Sequence, residues 1–218
     1  MYTEHRSPLV PAMVWTIPDS SGGLVLPDGC MDLIWFGDRL IVAGPDTRPH
    51  QAEPPVSGDL VGLRFAPGVA PSVLGLPASE VRDSRVPLDA VWDPRTVRRL
   101  QARLADSPDV AGDLEAIARQ RLLAAEPLPS SLGSTVAMIR EGRRVADVAS
   151  HVGLSERQLH RRSLAAFGYG PKVLGRILRF RRAADLLRSG RSKAEAAALA
   201  GYADQPHLTR EFRAFSVA

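Results

Sequence analysis

The sequence predicts an α+β chain: a small antiparallel β-barrel or sandwich first, a helical hairpin as connector, then an all-α domain of two helix-turn-helix units. Three observations lead there. Of the 18 prolines, 16 precede Ser130, which breaks that half into short pieces unsuited to a helical bundle. Several apolar runs in the same half have the length and partial period-two character of strands. From Val145 onward one helical pattern occurs twice, as VADVASHVGLSERQLHRRSLAAF from Val145 and KAEAAALAGYADQPHLTREFRAF from Lys193.

Taken in order, the strand-like runs are Leu9 to Ile17, Gly23 to Pro27, Met31 to Phe36, Arg39 to Gly44 and Asp59 to Ala66. Gly37-Asp38 is a short hairpin connection between two of them. The character changes at Trp92. Asp93-Pro94 reads as an N-cap followed by a first-turn proline, and Val97, Leu100 and Leu104 line one face of the helix that follows. Ser107-Pro108 repeats the start signal, with Val110, Leu114, Ile117 and Ala118 lining the next helix. This hairpin either packs back on the strands or offers dimer contacts. EPLPSS, Glu126 to Ser131, reads as an interdomain linker, and Ser134 to Arg140 as the first helix of the last domain. The expected boundaries are 1–91, 92–126 and 131–218.

In the first repeat copy Val145, Val148, Ala149 and Val152 fall at i, i+3, i+4 and i+7, one apolar stripe on a short helix. Gly153 supplies the turn. Ser155 then caps the next helix, with Gln158 in the capping-box place. Leu159 faces inward. Arg157, His160, Arg161 and Leu164 share the opposite face, so the first three are placed to reach base edges if this helix enters a major groove. In the second copy Ala194, Ala196, Ala197 and Ala200 replace the valines, giving high helix propensity but a smaller buried surface. Asp204 is the expected cap. Leu208 and Phe212 face the core, and Gln205, His207, Thr209 and Arg210 face outward. Pro171 to Arg188 reads as a helix between the copies, with Gly190 just past its end. Its roughly 27 Å length suits two reading helices in successive major grooves, about 34 Å apart.

Charge divides the same way. From Met1 to Ser130 there are 12 Arg and no Lys against 17 Asp and Glu, a net −5; from Ser131 to Ala218, 16 Lys and Arg against 7 acids give +9. A basic C-terminal half is what phosphate neutralisation requires, and an acidic N-terminal half is a poor DNA surface. The single cysteine, Cys30, excludes an intramolecular disulfide and points to a reducing interior. No apolar run approaches the roughly 18 residues of a membrane span, and MYTEHRSP lacks a signal-peptide layout. A soluble cytoplasmic chain is expected.

The C-terminal region resembles the paired helix-turn-helix domain of AraC-family transcription regulators. GLSERQLHRR, the GYGPK run from Gly168 to Lys172, RFRRAADLL from Arg179 to Leu187, and AGYADQPHLTREFRAF from Ala200 to Phe215 carry the resemblance, over about 80 residues. It implies a sequence-specific regulator whose partner is double-stranded DNA, and RNA polymerase as well if the protein activates. Arg157, His160 and Arg161 from the first unit, with Gln205, His207, Thr209 and Arg210 from the second, are the expected base or groove contacts. Ser155, with Gln158 beside it in the capping box, and Lys172, Arg176, Arg191 and Arg213 are expected at phosphates. Two departures stand out. Ser163 occupies a place usually filled by a bulky apolar residue, so the first reading helix is expected to be less well anchored, or Leu164 to rotate in. The chain stops at Ala218, where related domains continue, so the second unit is expected to lack its final cap.

LPDGCMDLIWF and AGPDTRP, the latter from Ala43 to Pro49, look like the small amino-terminal domain of a subset of these regulators. That resemblance implies control by a small-molecule effector or by assembly, including a homodimer. Trp15, Cys30, Trp35 and Phe65, with Phe36 beside them, are candidates to line an effector pocket, or are plain core. His5, Asp28, Cys30, Asp32 and His50 lack metal-ligand spacing, so no metal and no cofactor is expected. The rival reading is a DNA reader fused to an enzyme using a metal or Cys30 alkyl or redox chemistry, but no neighbouring Lys or His lowers the thiol's pKa. A second rival is a helical repeat that binds protein rather than DNA. The expectation is a regulator, not an enzyme.

Overall fold

Alternating burial along Met31–Phe36 shows how the apolar runs become strands: Met31, Leu33 and Trp35 are buried while Asp32, Ile34 and Phe36 are half-buried. The structure is a computed structural model describing residues 2–18, 22–52 and 59–216. The strands are β1 (Thr3–Arg6), β2 (Ala12–Ile17), β3 (Gly23–Val25), β4 (Met31–Phe36), β5 (Arg39–Ala43), β6 (His50–Ala52), β7 (Leu60–Phe65) and β8 (Arg85–Pro87). Six form an antiparallel sheet in the order β1-β2-β7-β4-β5-β8, and β3 pairs with β6 in a small second sheet. Gly37, at φ 70, turns the predicted β4–β5 hairpin, in which Phe36 faces Arg39. β1, β6 and β8 went unpredicted because TEHR, HQA and RVP carry no apolar alternation.

One face of the sheet is the N-terminal core. Val14, Leu33, Val42, Leu63 and Phe65 lie in register across it, and one cluster joins them to Val97, Leu104, Leu114, Ile117 and Ala118. The last five belong to α2 (Pro94–Ala105) and α3 (Val110–Ala124), so the helical hairpin lies on the sheet. Asp93 caps α2 as expected, accepting from the Thr96 N–H. The second cap is Asp109, which accepts from the Gly112 N–H; Ser107 instead receives the N–H of Asp109. A short helix α1 (Ala70–Leu74) and 3-10 turns at Ala78–Val81 and Leu88–Ala90 complete this part.

The C-terminal helices are α4 (Leu132–Arg140), α5 (Val145–His151), α6 (Glu156–Phe167), α7 (Pro171–Arg188), α8 (Lys193–Ala200) and α9 (Gln205–Ser216). Leu174, Ile177, Leu178 and Phe180 on α7 are buried with Val148, Leu159 and Phe167. Each such apolar side chain contributes about 1.5–3 kcal/mol of burial. Phe180 meets Phe212 edge-on and Phe215 at a tilt, both at 4.9 Å between ring centroids, which ties α9 to α7. The second unit has the smaller core expected of its alanines: Ala183, Ala196, Ala197, Ala200, Tyr202 and Leu208. Ala218, where a missing final cap was expected, lies outside the described residues.

Candidate nucleic-acid interface

Both units present a capped helix start to solvent, for the local reasons the sequence contains. The Ser155 hydroxyl accepts the Gln158 N–H while Gln158 Oε1 accepts the Ser155 N–H and hydroxyl, a complete capping box at α6. In the second unit the box is at the start of α8, between Ser192 and Glu195. α9 opens on Asp204, whose carboxylate accepts the His207 N–H at 2.6 Å.

Charge pairing sorts the basic residues. Arg157, Arg161, Lys172, Arg210 and Arg213 are exposed, and among the described residues none has a carboxylate within ion-pair distance. Arg162, which sequence reasoning passed over although it lies beside Arg161 in HRR, has the same environment. Gln205 is exposed at the first position of α9. Arg176 is different: it bonds Glu211 on α9 at 2.9 Å and lies over the Phe215 ring at 5.3 Å. Arg191 faces Glu195 at 3.5 Å. These two arginines are engaged within the fold.

Both histidine rings pack against neighbouring backbone or rings of their own domain, His160 while remaining exposed. The His160 ring lies so close to Gly170 that a Cβ there would meet it at 2.6 Å. His207 is half-buried, receives the Ala203 N–H on Nδ1 at 3.5 Å, and stands edge-on to Tyr202 at 5.1 Å. The Thr209 hydroxyl donates to the Gln205 carbonyl at 2.9 Å. Sequence spacing gives a helical face but not the χ angles that fold a ring onto the adjoining turn. Ser163 is buried, 1% exposed, and Leu164 half-buried, so α6 is anchored by Leu159 and Phe167 around a small residue.

Of the two readings of Trp15, Cys30, Trp35 and Phe65, a shared pocket or plain core, the structure gives no pocket shared by all four. Trp35 and Phe65 belong to the helix-covered core, whereas Trp15 lies on the other face, packed over Gly62 with its indole N–H donating to Asp32 at 2.6 Å. Side chains alternate along a strand, so residues of similar character divide between faces. Cys30 alone of the four lines a cavity, of about 600 Å³, between that other face and α7; Met13, Arg64, Leu178, Arg181 and Leu186 are among its walls. Arg64 lies 3.3 Å from Asp28 and 3.5 Å from Asp32. Burial raises Asp32 above the ordinary carboxylate range, with Arg64 opposing the rise. Burial, reinforced by Asp28 and Asp32, pushes the Cys30 thiol well above its usual range, the reverse of an activated nucleophile. Among the described residues no group of three or more His, Cys, Asp or Glu could hold a metal ion, and no helix is long and apolar enough to cross a membrane.

Known proteins bear on both halves. Residues 148–216 match a family described as a helix-turn-helix domain, and residues 12–87 match a domain of unknown function, DUF6597. No curated protein matches the chain. A crystal structure of apo ToxT from Vibrio cholerae, a singly substituted form, is similar over 96% of this chain and 95% of its own, at 10% identity and a TM-score of 0.50. A second ToxT crystal structure from Vibrio cholerae aligns over 100% and 96%, at 11% identity and a TM-score of 0.46. The C-terminal region of this chain is a DNA-binding helix-turn-helix domain of the AraC type, joined to an N-terminal β-sheet domain.

Proposed function

We propose that the protein is a sequence-specific transcription regulator that places α6 and α9 in successive major grooves of one duplex. The observation that carries this is the shared surface pattern: Arg157 and Arg161 in the first half of α6 and Arg210 midway along α9 are exposed, with no carboxylate within ion-pair distance among the described residues. The repeat places them on the exposed faces of two like-built helices, and guanidinium forks match guanine O6 and N7. Gln205 suits adenine. Arg162, Lys172 and Arg213 neutralise phosphates. α7, with 18 residues and about 27 Å of length, separates the readers.

The test is selection of bound duplexes from a random pool, followed by Arg161→Ala on the selected site. A loss of about 1–3 kcal/mol on that site, with little change on random DNA, is expected. Equal losses on both would contradict base reading. Affinity should also fall steeply with salt through counterion release; a salt-insensitive complex would favour a protein partner.

A small-molecule effector is the second part of the proposal. The cavity between the sheet and α7 supports it, because a molecule there would touch Met13 and Arg64 on one side and Leu178 and Arg181 on the other. Running the selection with and without a metabolite mixture tests it. Identical enrichment in both would remove the effector.

A further inference from the structure

The AGPDTRP run is unused by the DNA-reading surface, yet it lies where the first reading helix ends. Three consecutive residues there, Phe167, Gly168 and Tyr169, are buried. Each meets the N-terminal domain at a glycine, a proline or a 3-10 turn. A Cβ on Gly68 would lie 2.9 Å from the Phe167 ring. A Cβ on Gly168 would lie 2.5 Å from Pro45 and 3.3 Å from the Ala78 carbonyl oxygen. A Cβ on Gly29 would lie 3.9 Å from the Tyr169 hydroxyl, and 3.4 Å from Leu174 and Leu178 of α7, so the domain also touches the start of that helix. The Gly168 carbonyl, at the C-cap of α6, accepts from Arg82 Nη1 at 3.3 Å.

The surface receiving them is stiff. The Gly44 N–H donates to Ser84, the Asp83 N–H to Pro45, and the Thr47 N–H and hydroxyl to the Asp83 carboxylate. Asp46, itself buried, receives both terminal nitrogens of Arg85, at 2.8 and 2.6 Å. Gly44 fits so closely that a Cβ would meet the Val81 carbonyl oxygen at 1.6 Å. Asp83 holds a left-handed φ of 55, a conformation uncommon outside glycine that is tolerated best by Asn and Asp. A domain joined only by a linker needs none of this. The core beneath the second unit, in contrast, is drawn from residue 183 onward.

We infer that the N-terminal domain is a positioning fixture for one reader: the 44–47 and 78–85 segments, through Pro45 and Arg82, hold α6 at the angle from which it enters the groove, while α9 takes its angle from α7. The inference rests on α6 being a reading helix. It makes Arg82 a positioning residue that acts through Gly168 without touching DNA, and it makes the two half-sites unequal in their dependence on the N-terminal domain.

The test uses the full chain and the duplex it selects, with the half-sites assigned by Arg161→Ala and Arg210→Ala. Affinity is then measured on the intact site and on sites altered in one half at a time. Arg82→Ala is expected to weaken the intact site roughly 3- to 10-fold, the value of one hydrogen bond. Discrimination at the α6 half-site should shrink while that at the α9 half-site stays at the wild-type value. Arg82→Lys, which keeps a donor, should restore part of the loss, and Thr47→Val, which loosens the platform, should reproduce the same asymmetry. Equal losses at both half-sites, or no loss in either variant, would overturn the inference. If the wild-type chain selects no sequence at all, the DNA-reading proposal itself fails, an outcome distinct from the other two.

Discussion

Ser163 is 1% exposed in the middle of α6, and its hydroxyl has no hydrogen-bond partner among the described residues. A buried polar atom left unpaired costs free energy that its removal recovers. Ser163→Ala should therefore raise stability by about 1 kcal/mol, read as a higher denaturation midpoint; a drop would mean the hydroxyl has a partner after all. Arg176 makes the opposite point. Its sequence position suits a phosphate contact, but Glu211 and Phe215 hold it against α9. Its guanidinium is about half exposed, so Arg176→Ala should cost about 0.2–1 kcal/mol of stability. The slope of log affinity against log salt should stay unchanged, whereas loss of a phosphate contact would lower it by about 0.9.

The capping boxes of α6 and α8 share a geometry but differ in the residue that reaches back: Gln158 in the first, Glu195 in the second. The Ser192 N–H and hydroxyl hold the Glu195 carboxyl below its ordinary value of 4.5. An acid depressed in the folded state adds stability that is present above its unfolded pKa and is lost as pH falls through the folded one. Acid should thus fray the start of α8 before that of α6. Hydrogen exchange at the Ala194 to Ala196 amides, measured as pH falls through and below 4.5, should show this. Glu195→Gln should abolish the pH dependence while keeping the box; persistence in that variant would assign it elsewhere. Such caps are written locally, as are the valine stripe, the Gly153 turn and the proline that starts α7; all were read from the chain alone except the box between Ser192 and Glu195, which carries the same local signal and was passed over. β1, β6 and β8 could not be read so, because short polar edge strands are specified by the neighbours they pair with. Nor could the arrangement of Trp15, Cys30, Trp35 and Phe65, since composition marks aromatic strands without saying which face each ring takes. Of the candidate interface, the exposure of Arg157, Arg161 and Arg210 on one face of each helix was legible. The packing of the His160 and His207 rings against Gly170, Ala203 and Tyr202 involves contacts that become visible only in three dimensions.

At the scale of the whole chain, two halves of opposite charge are joined by more than the Glu126 to Ser131 segment. Leu26 of the N-terminal half packs into the C-terminal core, and the end of α6 is seated against Pro45, Gly68 and Ala78. Domains that share such a seat should unfold together, and the chain carries probes to check it. All three tryptophans, Trp15, Trp35 and Trp92, lie in the N-terminal half, whereas six of the nine α-helices among the described residues lie in the C-terminal half. Tryptophan fluorescence and far-ultraviolet dichroism should therefore give coincident denaturation curves in the wild-type chain. Gly168→Ala attacks the seat from two directions. Its φ of 81 is left-handed, costing about 1–2 kcal/mol with a side chain present, and the new methyl would meet Pro45 at 2.5 Å. The variant should lose at least that much stability, and its two curves should separate as the halves lose their common transition. Coincident curves in the variant, displaced together by the backbone cost alone, would show that Pro45 yields to the methyl and that the halves remain coupled through α7.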